Sequence, residues 1–314
     1  MARVLLLGAT GTIGRAAATA LAGAGHDVVC ALRRDPGDLP AEVRLADVTR
    51  PGGLAEAMGR DGADAVVSCL GSRTGLPQDA WAVDFDANRH ALDWAEAAGA
   101  ARMVYLSAIC VQKPRLVFQH AKMTMEATLR ASRLEHVILR PTAFFKSLSG
   151  QIARVRAGRR FLLFGDGRLT ACKPISDRDL GAVLARAVTE PGWARRTLPV
   201  GGPGPALTPL DQAETLFSLL DRAPAVRHVP PGLLSGAARA LDVAGRLSPG
   251  LAARAELARI GHYYATESML VWDAAAGRYD AEATPEYGAD TLRDHYARVL
   301  RGEVAVDLGD HAMF

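Results

Sequence analysis

Cysteine is scarce in this 314-residue sequence: there are four, Cys30, Cys69, Cys110 and Cys172, widely spaced. That spacing excludes the paired thiols of a metal site, and scattered single thiols predict a reduced, cytoplasmic setting. Charge of one sign is also lacking. A formal net charge of +3 argues against nucleic acid or a strongly anionic surface as partner. No uninterrupted apolar run approaches the roughly 20 residues of a membrane-spanning helix. The apolar opening is too short for a signal peptide and lacks a cleavage region, so none is expected. A soluble protein is predicted, with peripheral contact to a membrane face left open. Internal repeats and low-complexity linkers are absent too. What remains is ordinary globular material, 49% hydrophobic and 23% charged, long enough for one large or two modest domains.

The chain opens with Val4-Leu5-Leu6-Leu7, runs through Gly8-Ala9-Thr10-Gly11-Thr12-Ile13-Gly14, and continues as an alanine-rich stretch from Arg15 to Ala22. Buried strand, Gly-x-x-Gly-x-x-Gly turn and helix, in that order, form the phosphate-binding corner of a dinucleotide fold. Gly8 permits the tight turn, Gly11 lets backbone approach a pyrophosphate, and Gly14 allows helix and strand to pack closely. Free N–H groups at the helix start, reinforced by its dipole, supply the anion site. Thr10, Thr12 and Ile13 complete the expected cofactor-binding segment.

Strands and helices then alternate. Asp27 to Leu32 reads as a second strand, Val43 to Val48 as a third, and Ala65 to Ser68 as a fourth. A helix from about Trp81 to Ala98, a fifth strand at Arg102 to Ser107 and a sixth at Ile138-Leu139 follow. The pattern predicts an α/β protein with a Rossmann-type doubly wound parallel sheet. An NADP-binding domain is expected over residues 1–145 and a smaller substrate-binding region over 146–314, partly integrated with it. Ligands of such sheets lie beyond the carboxyl ends of the strands. There Asp47 and Val48 would meet the adenine, although Asp47 equally suits a cap on the next helix, Gly53 to Arg60. Cys69, Leu70 and Gly71 offer close backbone approach, and Ser107 ends strand five.

One further residue is missing. Dinucleotide folds often end the second strand with a carboxylate for the adenosine ribose, and this sequence has Arg33-Arg34 there. A carboxylate would repel a 2′-phosphate, whereas a guanidinium holds it by charge-assisted hydrogen bonds, so the pair favours NADPH over NADH. The alternative is two solvated arginines opening a loop.

The glycine motif, together with a lysine on the helix after the fifth strand, resembles the atypical short-chain dehydrogenase/reductases that include isoflavone-reductase-like enzymes and NADP-sensing regulators. Ordinary members carry Tyr-x-x-x-Lys; this chain reads Phe118-Gln119-His120-Ala121-Lys122. The resemblance implies that Lys122 hydrogen-bonds the nicotinamide ribose, against the alternative of a surface pair with Glu126 one helical turn on. It also implies that the Arg140-Pro141 segment after strand six passes the nicotinamide. The usual phenol protonates the alkoxide formed when hydride reaches a carbonyl. Reducing a carbon–carbon double bond forms no alkoxide, so Phe118 argues against routine carbonyl reduction.

Later blocks narrow the resemblance. They are Leu70-Gly71-Ser72-Arg73-Thr74-Gly75, Ser107-Ala108-Ile109-Cys110-Val111-Gln112-Lys113-Pro114, Phe164 to Ser176, Gly201 to Leu210, His262 to Val271 and Thr284 to Leu292. Together they look like the NADPH-dependent 8-vinyl-reductase family of chlorophyll and bacteriochlorophyll synthesis. That resemblance implies a magnesium tetrapyrrole substrate, divinyl chlorophyllide or protochlorophyllide, whose 8-vinyl group becomes ethyl. Candidate substrate contacts are Cys110, Phe144, Phe145, His262 and Tyr264. Lys122 and Tyr264 are the catalytic candidates, with Tyr263, His262, His120 and Cys110 as alternative proton donors and Phe144, Phe145 and Tyr264 as walls for a flat macrocycle. Bland readings stand beside these: Gly165-Asp166-Gly167 suits a hairpin turn, Ser176 to Asp179 a helix start, and Pro230 to Arg259 one or two packed helices. Competing functions are a non-catalytic NADP-sensing regulator, an ene-reductase acting on a small phenolic, and an assembly subunit of a larger complex.

Overall fold

The computed structural model describes residues 1–245 and 248–306; the end of the expected 146–314 region lies outside that description. Contacts divide the chain into two compact units. The first comprises Met1–Ser72, Pro77–Pro141 and Asp177–Val200; the second comprises Arg73–Leu76, Thr142–Ser176 and the chain from Gly201 onward. A single boundary near residue 145 is therefore too simple, because the chain returns to the first unit for one more helix and strand.

That first unit holds a seven-stranded sheet. Its strands are β1 (Arg3–Leu7), β2 (Asp27–Leu32), β3 (Glu42–Leu45), β4 (Ala65–Ser68), β5 (Arg102–Leu106), β6 (Glu135–Pro141) and, after β7 (Phe161–Phe164) in the other unit, β8 (Arg196–Val200). They lie in the order β3-β2-β1-β4-β5-β6-β8, every pairing parallel. Helices cover both faces, so β4 and β5 are buried along their whole length, which is why they read as continuous apolar runs without alternation. The edge strand β3 is short and half-exposed, and it stops before the expected Asp47-Val48. The strand order reverses at β1, which lies between β2 and β4. The crevice beyond β1 and β4 is thus the topological switch point, the place where open α/β sheets bind ligands.

A distant helix anchors the first one. Helix Asp177–Thr189 lies against helix Thr12–Gly23 through Gly181, where an added Cβ would stand 2.7 Å from the backbone of Ala16. Helix Val117–Ala131 packs on β6, and a helical run over residues 77–97, whose Ala80–Ala87 portion is π-helical, packs on β4. That run was expected from Trp81 to Ala98 as a regular helix.

Within the second unit, β7 pairs in parallel with β9 (Val226–Val229), and β10 (Val271–Asp273) forms a hairpin with β11 (Arg278–Asp280). Gly165 and Gly167 do turn the chain, with φ of 60° and 81°. They close no hairpin, however, because the partner of β7 lies some sixty residues on and runs parallel to it. The core of this unit gathers Phe145, Phe161, Leu163, Leu216, Phe217 and Tyr296. Helix Pro209–Leu219 is started by a reciprocal cap, in which Thr208 Oγ1 accepts from the Asp211 amide at 3.2 Å and Asp211 accepts from the Thr208 amide at 2.8 Å. Among the described residues no helix is long and apolar enough to cross a membrane.

Gly181→Ala forces a methyl group into the crossing of the two helices. We expect it to lower stability by about 1–3 kcal/mol. Gly23→Ala, at an exposed position with nothing within 4 Å of the new Cβ, should cost nothing in thermal unfolding. Equal melting temperatures for the two variants would refute the close approach.

Candidate active site

The glycine segment makes a cradle at the switch point. Gly8 has φ of 77°, a conformation natural to glycine. A Cβ on it would stand 2.7 Å from the carbonyl oxygen of Cys69, so the turn after β1 presses directly on the exit of β4. A Cβ at Gly14 would overlap the carbonyl of Gly8, whereas at Gly11 it would meet only that carbonyl, at 3.4 Å. Gly14 is therefore required by packing, while Gly11 keeps the outer side of the turn low. Thr10, Gly11 and Thr12 are exposed, and Ile13 and Gly14 are buried. Helix Thr12–Gly23 starts with no side-chain cap from Gly11 and no acidic residue in its first turn. These features fit a bound pyrophosphate.

Arg33 and Arg34 are exposed immediately past β2. Asp47 lies near enough to Arg33 to feel its charge. Its carboxyl is held below the usual range by hydrogen bonds from the Thr49 hydroxyl and amide, which outweigh the opposing effect of burial, with smaller help from the charges of Arg33 and Arg50. It caps the local turn, accepting from Thr49 at 2.6 and 3.0 Å, and does not cap helix Gly53–Met58. Gly53 explains that tight turn: a Cβ there would overlap the carbonyl of Asp47. Val48 is half-buried and its carbonyl faces the His90 ring at 3.2 Å.

Lys122 is not on the surface. Its side chain is 10% exposed, and its ammonium lies 3.0 Å from Oδ1 of Asp84, which is itself 1% exposed. Burial works against the charge of Lys122, but Asp84, followed by Tyr105, outweighs it and holds the pKa above the ordinary lysine value. Asp84 is fixed in turn by the Ser72 hydroxyl, which donates to Oδ2 at 2.6 Å. The Tyr105 ring lies under the ammonium at 5.5 Å, its hydroxyl donating to the backbone carbonyl of Asp84 at 3.4 Å. Burial pushes the Tyr105 phenol above its ordinary pKa and the Cys69 thiol up to about 12. Gly71 sits beside the pair, where a Cβ would be 3.7 Å from Asp84 and 4.0 Å from Lys122. Phe118, one turn before Lys122 on the same helix, is half-buried.

The expected alternative partner of Lys122 is engaged elsewhere. Glu126, 1% exposed, takes Arg140 at 2.5 Å, Arg130 at 2.6 Å and the Ser107 hydroxyl at 2.6 Å. Ser107 thus directs its hydroxyl to Glu126, and its amide bonds the Leu139 carbonyl at 2.8 Å. This second network locks helix Val117–Ala131 to β5 and β6, and Pro141 closes β6 as a buried residue. Cys110 is buried in a short 3-10 turn, Ile109–Gln112, among the groups that surround Lys122. Leu70 is half-buried in the exit of β4.

The remaining candidates lie in the second unit. Tyr264 is 43% exposed on helix Pro249–Thr266, edge-on to Tyr263 at 5.7 Å, and His262 is half-buried on the same helix. Phe144 is half-buried. Phe145 is not a candidate wall: it is 4% exposed and packed in the core of the unit, tilted against His295 at 5.3 Å. Its apolar bulk is spent on folding. The sequence gives no site role to Asp84, Ser72 or Tyr105, and offers Glu126 only as a surface partner of Lys122.

A sequence family described as NAD(P)H-binding matches residues 8–191. The protein of Oryza sativa subsp. indica named divinyl chlorophyllide a 8-vinyl-reductase, chloroplastic, is 46% identical over 99% of this chain and 82% of its own length. Its namesake from Zea mays is 44% identical over the same shares. Among solved structures, the NADPH-dependent quinone oxidoreductase QOR2 of Escherichia coli, complexed with NADPH, superposes with a TM-score of 0.69 at 18% identity, covering 95% of this chain and 99% of that one. At that identity the likeness concerns the fold alone.

The Glu126 network makes a pH-dependent contribution to stability. Burial opposes the carboxylate, but hydrogen bonds and charge from Arg140, Ser107 and Arg130 prevail and lower its pKa. The stabilisation is therefore present above the unfolded-state value of about 4.3 and lost as pH falls through the lower folded-state value. Glu126→Gln should destabilise by about 3–5 kcal/mol at neutral pH, with the gap to the parent narrowing below about pH 4. A gap in melting temperature that persists undiminished into acid would contradict this.

Proposed function

The chain belongs to the divinyl chlorophyllide a 8-vinyl-reductase family, and from that premise we propose that it reduces the 8-vinyl group of divinyl chlorophyllide to ethyl at the expense of NADPH. The observation that carries the reading is identity of 46% sustained over 99% of the chain, joined to a dinucleotide cradle and a lysine site without the phenol of carbonyl reductases.

When bound, the nicotinamide supplies a hydride equivalent. The Gly8–Gly14 turn and the first N–H groups of its helix bind the pyrophosphate, Arg33 and Arg34 take the 2′-phosphate, and Lys122 hydrogen-bonds the nicotinamide ribose. That hydride would go to the terminal carbon of the vinyl group, the double bond opening with its electron pair spread into the conjugated macrocycle. A proton then reaches the carbon attached to the ring. No oxygen gains charge, so Phe118 is compatible with the chemistry. The chain's task is to hold the two reactants in line and keep the site dry. Cys110, Phe144, His262 and Tyr264 are the residues we assign to contact with the pigment. Helix Gly232–Gly245, with Leu233 64% exposed, is the element we assign to any peripheral contact with a membrane face.

Anaerobic incubation of the purified protein with NADPH and divinyl chlorophyllide should give a product heavier by two hydrogens, with a blue-shifted Soret band. Replacing both Arg33 and Arg34 by Ala should raise the KM for NADPH about tenfold or more, equivalent to about 1.4 kcal/mol, while leaving the weak reaction with NADH unchanged. Tight NADPH binding without turnover would favour a cofactor-sensing role, and equal use of NADH by the parent enzyme would discard the arginine assignment.

A further inference from the structure

A lysine that activates a phenol must project positive potential, whereas a lysine that only ligates a ribose needs a fixed position. The surroundings of Lys122 are built for the second task. We propose that Asp84 is a positioning residue that closes the charge of Lys122 within the protein, making it a hydrogen-bond donor to the cofactor ribose and not a source of positive potential at the reacting carbon. This rests on the reading that Lys122 meets the nicotinamide ribose.

Three observations support it. The pair is direct, 3.0 Å between Nζ and Oδ1, with both side chains at or below 10% exposure. The carboxylate is itself held: Ser72 donates to Oδ2 from its hydroxyl at 2.6 Å and to Oδ1 from its amide at 3.3 Å, and the π-helical Ala80–Ala87 segment carries Asp84, a helix form concentrated at functional sites. Gly71 adds no side chain over the pair. Nor does the position one turn before Lys122 hold anything for a positive charge to activate, since it is Phe118.

The groups facing the ammonium are Asp84 from the π-helical segment, Tyr105 from β5, Cys110 from the turn after it and Cys69 from the exit of β4. Glu126, one turn on in its own helix, is committed to Arg140 and Arg130. Burial keeps Tyr105 and Cys69 protonated, so the counter-charge comes from Asp84. Without it, burial is opposed only by the weaker influence of Tyr105 and Cys110, and the pKa of Lys122 moves down, because desolvation disfavours the charged form.

The test is NADPH affinity measured by fluorescence on the full-length protein between about pH 7 and 9.5, below the ordinary lysine range. The parent should show a dissociation constant flat across that window. Asp84→Asn should weaken binding about tenfold at pH 7 and progressively more as pH rises, while Lys122→Met should be weak at every pH. Ser72→Ala, which keeps the charge but frees the carboxylate, should lose about threefold with a flat profile. An Asp84→Asn protein that binds like the parent across the window overturns the proposal. If that variant does not fold, unchanged affinity in Ser72→Ala overturns it instead. None of these readings needs pigment turnover, so the proposal can fail while vinyl reduction stands, and the reverse.

Discussion

An ammonium group taken out of water must find a negative partner or lose its proton, and this constraint organises the cofactor end of the molecule. Lys122 is buried against Asp84; Asp84 is held by Ser72 at the exit of β4; and the helix carrying Lys122 is fastened through Glu126 to Ser107 and Arg140 on neighbouring strands. Two acid–base networks thus pin one helix at two successive turns. Each polar group in them is paired, which is what makes the burial tolerable. The glycine turn completes the arrangement, because Gly8 packs on Cys69 and so ties the phosphate corner to the strand whose exit also bears Gly71 and Ser72.

This arrangement suits reduction of a carbon–carbon double bond. Carbonyl reduction concentrates charge on an oxygen that needs a phenol and a cation beside it. In vinyl reduction the charge disperses into a macrocycle. Phe118 in place of a phenol and the pairing of Lys122 with Asp84 are both compatible with that lesser demand.

Much of the fold was legible because its signals are local. The Gly8–Gly14 turn, the apolar strands β1, β2, β4 and β5, and the switch point they create follow from short runs of residues. The seventh strand of the sheet, Arg196–Val200, escaped because it is half-exposed and interrupted by Pro199. Phe145 read as a binding wall because an aromatic after the Arg-Pro exit of β6 looks the same whether it faces a ligand or a core. Asp84 was hidden for a different reason. It lies in Ala80-Trp81-Ala82-Val83-Asp84-Phe85-Asp86-Ala87 beside a second aspartate, and only helical phase separates the buried one from the exposed one. Asp84 shares a buried face with Ala80, Ala87, Asn88, Ala91 and Leu92, so the helical period marks it as inward-facing, but nothing local announces the lysine it meets there. The Glu126 network was misread because a spacing of four residues favours Lys122 as partner, whereas the fold brings in Arg140 from β6.

The central claim is that hydride goes to the outer vinyl carbon and a proton to the inner one, with no phenol taking part. Placement of isotope in the product tests it most directly. Deuterium carried by NADPH should appear in the terminal methyl of the new ethyl group, and deuterium from solvent on the carbon attached to the ring. The opposite placement, or both atoms drawn from solvent, would contradict the account.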